Sequence, residues 1–513
     1  MARSESNGHA DEPQTEMGDT RQRRPVKTDR GVYFHADIRA EYAPTNRRAD
    51  IHVDTYIGLA ISKEWRNVIE KKNFGHLKLH PSCLDSLERL AEQPKGLIKH
   101  IWLNIELKRY TCRSCRKMES VTWFFANDKI IAAAITRLFF ILANWKQDGG
   151  GLTLELNPYS PSDSEHWFKK CYFGAPDEDE LEFFESECQP QDGATATAIH
   201  DPSHGWWHGR MIEAPNDDAL RRPFELATPK FQEELPSVQA VTKFLLRRQC
   251  RRQLDPLTLS YLWSKLPRLE EIIYEPWQLS EKVSEHLWDS GYEKLISQRL
   301  PTSVKTVIIF EDFNENYLDL FQLSRGRNSN LSPDRVRITT PAVGAAFATK
   351  SRQLEHLSVA FLADAYDFFD ACQPQWRWHQ LHSLTLTSRI MYKTNTLQIS
   401  KLLEAAAQSA LNMPKLETMA LWNGAKGEAC AFTWCRQGAL ISWRGTWDLK
   451  LEPSVLNAWK TVAYKYARHE LTVNRELLAH KIGSHGDAIQ YLGLHSVIDD
   501  MSLRQIRKEN NCG

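Results

Sequence analysis

The 513-residue sequence predicts an α/β fold assembled from stacked strand-plus-helix units. Three observations predict it. Strand, helix and strand patterns follow one another between residues 100 and 158, an order that favours layered α/β packing. The second half repeats an apolar-x-x-apolar-x-apolar core in Leu269, Ile272 and Tyr274; Val304, Val307 and Ile309; Leu354, Leu357 and Val359; Leu381, Leu384 and Leu386; and Leu416, Met419 and Leu421. The composition, 42% hydrophobic and 25% charged, suits a soluble chain with sizeable buried cores.

Taken in order, residues 1–50 are polar without apolar periodicity, cannot repay the entropy of ordering, and are expected to form a disordered tail. Ile57, Ile61, Trp65, Val68 and Ile69 then recur at helical spacing. From His100 the chain alternates, with Ile101, Leu103, Ile105 and Leu107 on one side and Trp102, Asn104, Glu106 and Lys108 on the other, the pattern of a half-buried strand. Asn127 or Asp128 is expected to cap a helix with the face Ile131, Ile135, Leu138, Phe139, Leu142 and Trp145, ended by Gly149, Gly150 and Gly151. Leu152, Leu154 and Leu156 make the next strand, and Ser162 with Glu165 a capping box. These form the first α/β units, 81–176. Residues 177–235 open with the acidic run Asp177, Glu178, Asp179, Glu180 and Glu182, hold no sustained period, and read as a loop or insertion.

Residues 236–425 carry the repeats, whose first positions are separated by 35, 50, 27 and 35 residues. Helical patterns cover 283–300 and 397–411, and Pro267, Pro301 and Pro414 stand just before three of the strands. No such unit buries its apolar face alone, so the units must stack. The repeat resembles an irregular leucine-rich-repeat solenoid. Ordinary α/β units with coincidental leucine spacing are the alternative, because the consensus Asn position is missing. In 426–513, segments 429–435, 440–443 and 446–451 read as a meander of short strands. Val455, Trp459, Val462 and Tyr466 mark a helix, and short helices flank Gly483 and Gly486. This small α+β segment is expected to cap the open end of the stack.

Lys plus Arg is 65 and Asp plus Glu is 65, so no global basic field draws nucleic acid or membrane. The most apolar stretch, 130–143, is broken by Thr136 and Arg137 and falls short of the roughly 20 residues a bilayer needs. With no secretory leader visible, the ten cysteines are expected to be reduced and the chain cytoplasmic or nuclear, the cluster Arg21, Arg23, Arg24 and Lys27 being a candidate import signal. Walker, dinucleotide, nucleophile-elbow and zincin motifs are missing, so the expectation is a non-enzyme without a cofactor.

Cys112 and Cys115 form the one Cys-x-x-Cys, and the flanking Arg109, Arg113, Arg116 and Lys117 would favour thiolates. Zinc needs four ligands. The nearest additions are Cys83 and His100, while Cys430 and Cys435 are distant, so a reduced turn is the default and the pair is a weak metal candidate. His200, His204 and His208 recur every fourth residue, but Pro202, Gly205 and Gly209 break the helix that would align them, and a solvated loop is expected.

Tyr56 to Leu79, YIGLAISKEWRNVIEKKNFGHLKL, resembles the second half of the F-box in fungal F-box proteins, carried by Ser62, Trp65, Phe74, Leu77 and Leu79. HIWLNIELKRYTCRSC, LTLELNPYSPSDSEHWFK, SHGDAIQYLGL and SLRQIRKEN resemble the region that accompanies such F-boxes. The opening Leu-Pro-x-Glu element has no counterpart in 31–52, leaving a degenerate or truncated F-box over 51–80. The resemblance implies a substrate receptor of a cullin-type ubiquitin ligase, with Ile61, Trp65 and Ile69 facing a Skp-type adaptor. The stack would grip a protein substrate, and Trp206, Trp207, Trp376, Trp378 and Trp422 are candidate partner contacts. An enzyme whose site is assembled from distant residues, or a plain scaffold unrelated to ubiquitin, is the alternative.

Overall fold

The computed structural model describes residues 74–90, 92–145, 150–169, 200–207, 210–213, 215–278, 282–313 and 339–511. All of these lie in one compact unit, Ile57–Gly513. The 1–50 tail, Ile61, Trp65 and Ile69, the acidic run and His208 fall outside the described residues.

The fold is mixed α/β, organised on one large, mostly parallel sheet. In chain order the strands are β1 (His76–Leu79), β2 (His100–Glu106), β3 (Leu152–Tyr159), β4 (Trp206–Trp207), β5 (Arg210–Met211), β6 (Leu226–Ala227), β7 (Val241–Leu246) and β8 (Gln253–Leu254). They continue with β9 (Glu271–Tyr274), β10 (Thr306–Phe310), β11 (His356–Ala360), β12 (Ser383–Thr387), β13 (Thr418–Ala425), β14 (Glu428–Cys435), β15 (Leu440–Gly445) and β16 (Thr472–Leu477). Twelve of them form one sheet in the order β1-β2-β3-β7-β9-β10-β11-β12-β13-β14-β15-β16, while β4-β5 and β6-β8 make two small pairs. Each step from β1 to β13 is parallel, so each requires a crossover segment.

The register places the repeated triplets side by side. Ile272 pairs with Val307, Val307 with Leu357, Leu357 with Leu384, and Leu384 with Met419. Tyr274, Ile309, Val359, Leu386 and Leu421 make the second rung. The first member of each triplet, Leu269, Val304, Leu354, Leu381 or Leu416, is buried just before its strand. The rung also extends towards β1 through Phe244, Leu154, Ile101 and Leu77, which the repeat pattern does not reach.

Several expectations change. The helix before β3 is Val121–Ala143, capped by the Ser120 side chain, and it starts ahead of Asn127 and Asp128. Both are buried inside it, where Asn127 Oδ1 accepts from the Lys108 amide and Asp128 accepts from Thr228, so they serve tertiary bonds rather than a cap. β2 is buried on both faces, because Arg247 lies over Trp102 and Asn104 pairs with Asn157. The helix Pro161–Glu165 is preceded by Ser160, and Ser162 instead bonds the Tyr110 backbone in addition to Glu165. The stretch 215–235 is packed in part: Ala219, Leu220 and Leu235 are buried, while Lys230 and Gln232 to Glu234 are exposed.

At the far end, β14 pairs antiparallel with β13 and β15 antiparallel with β14. Residues 446–451 form no strand, since Trp443 Nε1 donates to the Trp447 carbonyl and turns the chain away. β16 pairs parallel with β15 and all six of its residues are exposed. The helices His485–Leu492 and Asp500–Asn511 do not close the end of the stack but lie on a sheet face. Their Ile489, Leu492, Leu503 and Ile506 pack with Phe310, Phe361, Ala420, Trp422, Ala429 and Ala431. Small residues on the strands permit this approach: a Cβ on Gly424 would sit 2.4 Å from that of Ala488. Among the described residues, no helix is long and apolar enough to cross a membrane.

Candidate functional site

The turn after β2 carries Cys112 and Cys115. It is closed by backbone bonds from Ser114 to Thr111 and from Lys117 to Ser114. Arg222 holds it from outside, donating to the carbonyls of Ser114 (3.0 Å) and Lys117 (2.6 Å), with its guanidinium 3.9 Å from the Tyr110 ring centre. Asn216 donates to the Arg116 carbonyl at 2.8 Å. Cys115 is 3% exposed and packs in a cluster with Tyr110, Trp167, Phe168, Ala219, Leu220 and Trp277.

Two histidines meet this turn. His166 follows the helix after β3, and its Nδ1 is 2.7 Å from the Ser162 carbonyl. His204 closes the turn Pro202–His204, and its Nδ1 is 2.7 Å from Asp201 Oδ2. The next residue, Gly205, has φ 71°, and an added Cβ would lie 2.2 Å from the Glu213 carbonyl oxygen, so glycine is required for the chain to turn there. His204 Nε2 lies 3.5 Å from Cys115 Sγ. Ligand-capable atoms of Cys112, His166 and His204 all lie within 4.8 Å of one another.

Cys112 therefore converges with His166 and His204, not with Cys83 or His100, while Cys115 meets this group at His204 and its thiol donates to the Cys112 carbonyl at 3.3 Å. His100 pairs with Glu155 instead. His200 packs against Trp207 at a tilt, with ring centres 4.4 Å apart, so among the described members of that histidine series only His204 joins the cluster. The loop is not solvated at this point, since His204 and Trp206 are 3% and 5% exposed. The flanking cations do not outweigh burial at Cys115: burial pushes its thiol up, and Arg116, whose guanidinium lies over Trp167, counters this only in part. Arg109 is engaged by Glu106 and Glu165. Burial pushes the Asp201 carboxyl up as well, but donors from Ser203, Lys169 and His204 outweigh it and hold that group well below the usual carboxylate range. Burial lowers the His204 imidazole despite Asp201.

A second constellation was hidden in the run RRQCRR after β7. Arg247, Arg248, Arg251 and Arg252 are all buried. Arg247 binds both oxygens of Glu155 and reaches Asp499 at 2.8 Å. Arg248 pairs with Asp312 and with Glu509 (2.7 Å), Arg251 with Glu509 and Arg252 with Glu119. Glu275 accepts from the Asp499 amide, the Arg248 amide and the Ser502 hydroxyl, and His485 Nε2 lies 3.0 Å from Asp312. These bonds fasten the last two helices onto the sheet face.

Three of the five candidate partner tryptophans are not available. Trp206, Trp378 and Trp422 are 5%, 1% and 0% exposed. Trp422 lies under the carboxy-terminal helices, Trp378 donates to Ser351, and Trp206 donates to the Trp167 carbonyl. Trp207 is exposed, and Trp376 is partly exposed beside Arg352. A depression at the ends of β11 to β13 is lined by Asp364, Arg389, Thr387 and Asn423. Asp364 spends its oxygens on Tyr366, Ser388 and Arg389, so it organises loops and offers no free base.

The model of a family of unknown function (DUF6546) matches residues 299–499. That stretch spans β10 to β16 and ends at Asp499, the partner of Arg247, leaving the Cys/His cluster outside it. No curated protein matches the chain.

Proposed function

We propose that the protein is a non-catalytic protein-binding platform built on an irregular leucine-rich-repeat-like stack, located in the cytoplasm or nucleus. The observation that supports it most is the continuous register of the five triplets across β9 to β13, one strand per repeat. Stacked units of this kind present extended surfaces rather than enclosed sites. The face under the carboxy-terminal helices is taken, so the reading assigns binding to surfaces that stay open, which include Trp207, Trp376 and the exposed edge strand β16. An unpaired edge is itself a means of binding an extended peptide.

In the fuller form of the proposal, the F-box-like segment 51–80 recruits a Skp-type adaptor and the platform holds the substrate of a cullin-type ubiquitin ligase. The full chain is then expected to form a stoichiometric complex with a purified Skp-type adaptor in size-exclusion chromatography, and Trp65→Ala to abolish it. An adaptor that elutes apart from the unaltered chain would remove the ligase role.

A further inference from the structure

We propose that Cys112, Cys115, His166 and His204 bind one zinc ion as a structural site. The donor set, two sulfurs and two imidazole nitrogens, is one that zinc takes in closed tetrahedral sites. The spacing fits as well. Zinc–sulfur and zinc–nitrogen bonds of about 2.3 and 2.0–2.1 Å at a tetrahedral angle put S and N about 3.6 Å apart. Cys115 Sγ and His204 Nε2 are 3.5 Å apart, although they lie 89 residues apart in the chain. The ligand atoms of Cys112, His166 and His204 already converge within 4.8 Å.

The surroundings orient both imidazoles for this task. The Ser162 carbonyl and the Asp201 carboxylate can only accept, so each histidine carries its proton on Nδ1 and keeps its lone pair on Nε2, which in His204 lies 3.5 Å from Cys115 Sγ. A carboxylate behind one ligand and a backbone carbonyl behind the other are the partners that zinc-binding histidines normally have. On binding, each thiol releases its proton to solvent, two S–Zn and two N–Zn bonds form, and nothing is oxidised or reduced. Two thiolates neutralise the dication, and the neutral product suits a pocket in which Cys115, His166 and His204 are all buried. Four protein ligands leave no open position for substrate, so the ion joins three chain segments and does no chemistry.

The test uses the full-length, tag-free chain. Elemental analysis after incubation with zinc ion alone and desalting should give one zinc per chain, lost in Cys115→Ser and in His204→Gln and kept in Cys83→Ser. Because the first two variants risk misfolding, the unaltered chain supplies two further readouts. Cobalt substitution should give the intense visible bands of a tetrahedral site with thiolate charge transfer, and a strong chelator should raise the count of thiols reactive to a disulfide reagent by two. A chain that retains no zinc, a weak octahedral cobalt spectrum, a Cys112–Cys115 disulfide in place of metal, or zinc retained in Cys112→Ser/Cys115→Ser would each overturn the proposal.

Discussion

Arg248→Met is expected to destabilise the protein by about 3–5 kcal/mol, the cost of leaving a buried ion without its partner. The guanidinium, 1% exposed, is the shared counter-charge of Asp312 and Glu509, which are 0% and 6% exposed. Methionine fills much of the same volume beside Trp277 but leaves both carboxylates in a dry site, Asp312 with His485 alone. Urea titration should show the midpoint fall. The acid limb should change too. Burial pushes the Asp312 carboxyl up, but Arg248 and His485 outweigh it and hold it at about 2. A carboxyl depressed in the folded state stabilises above its unfolded value, near 3.9, and loses that contribution as pH falls towards 2. In Arg248→Met this loss between roughly pH 4 and 2 should shrink. An unchanged urea midpoint would show that the network carries no net stability.

Removing residues 499–513 is expected to have the larger effect, a chain that no longer reaches a stable native state. The truncation strips Leu503 and Ile506 from the apolar cluster over β10 to β14, each worth about 2–5 kcal/mol by the cost of large-to-small changes in cores. It also removes Asp499, Ser502 and Glu509 from Arg247, Glu275, Arg248 and Arg251. Arg247 and Arg248 keep Glu155 and Asp312, yet each loses one carboxylate, and this loss added to that of the apolar contacts is comparable with the roughly 5–15 kcal/mol that holds an ordinary domain folded. Circular dichroism melting and dye binding should report a loss of cooperativity and exposed apolar surface. A truncated chain with the full-length melting point would rule out the structural role assigned to these helices.

The sequence was legible where neighbours in the chain are neighbours in the sheet. Leu357, Leu384 and Met419 could be aligned by pattern because each belongs to a unit that folds locally and then pairs with the next. The same logic fails for residues that meet across long separations. Glu509 reaches Arg248 over 261 residues, and no local period marks either one. Four arginines in six positions carry no sign of burial in the sequence, yet all four are buried because carboxylates arrive from β3, the turn before the helix Val121–Ala143, the loop after β10 and the last helix. Trp422 has the alternation of a solvent-facing residue until the carboxy-terminal helices cover it. The Cys/His cluster was half visible: Cys112 and Cys115 carry a motif, whereas His166 and His204 sit in separate turns, and the signal that could have found His204 is the carboxylate of Asp201 three residues before it, while no such signal marks His166.

Hydrogen exchange of the full chain, resolved by mass spectrometry, reports whether one continuous sheet carries its own carboxy-terminal segment clamped across a face. Amides of 486–506 should exchange as slowly as those of β10 to β13, and Arg248→Met should accelerate both sets together. Exchange of 486–506 within seconds, while β10 to β13 stay protected, would contradict such a clamp.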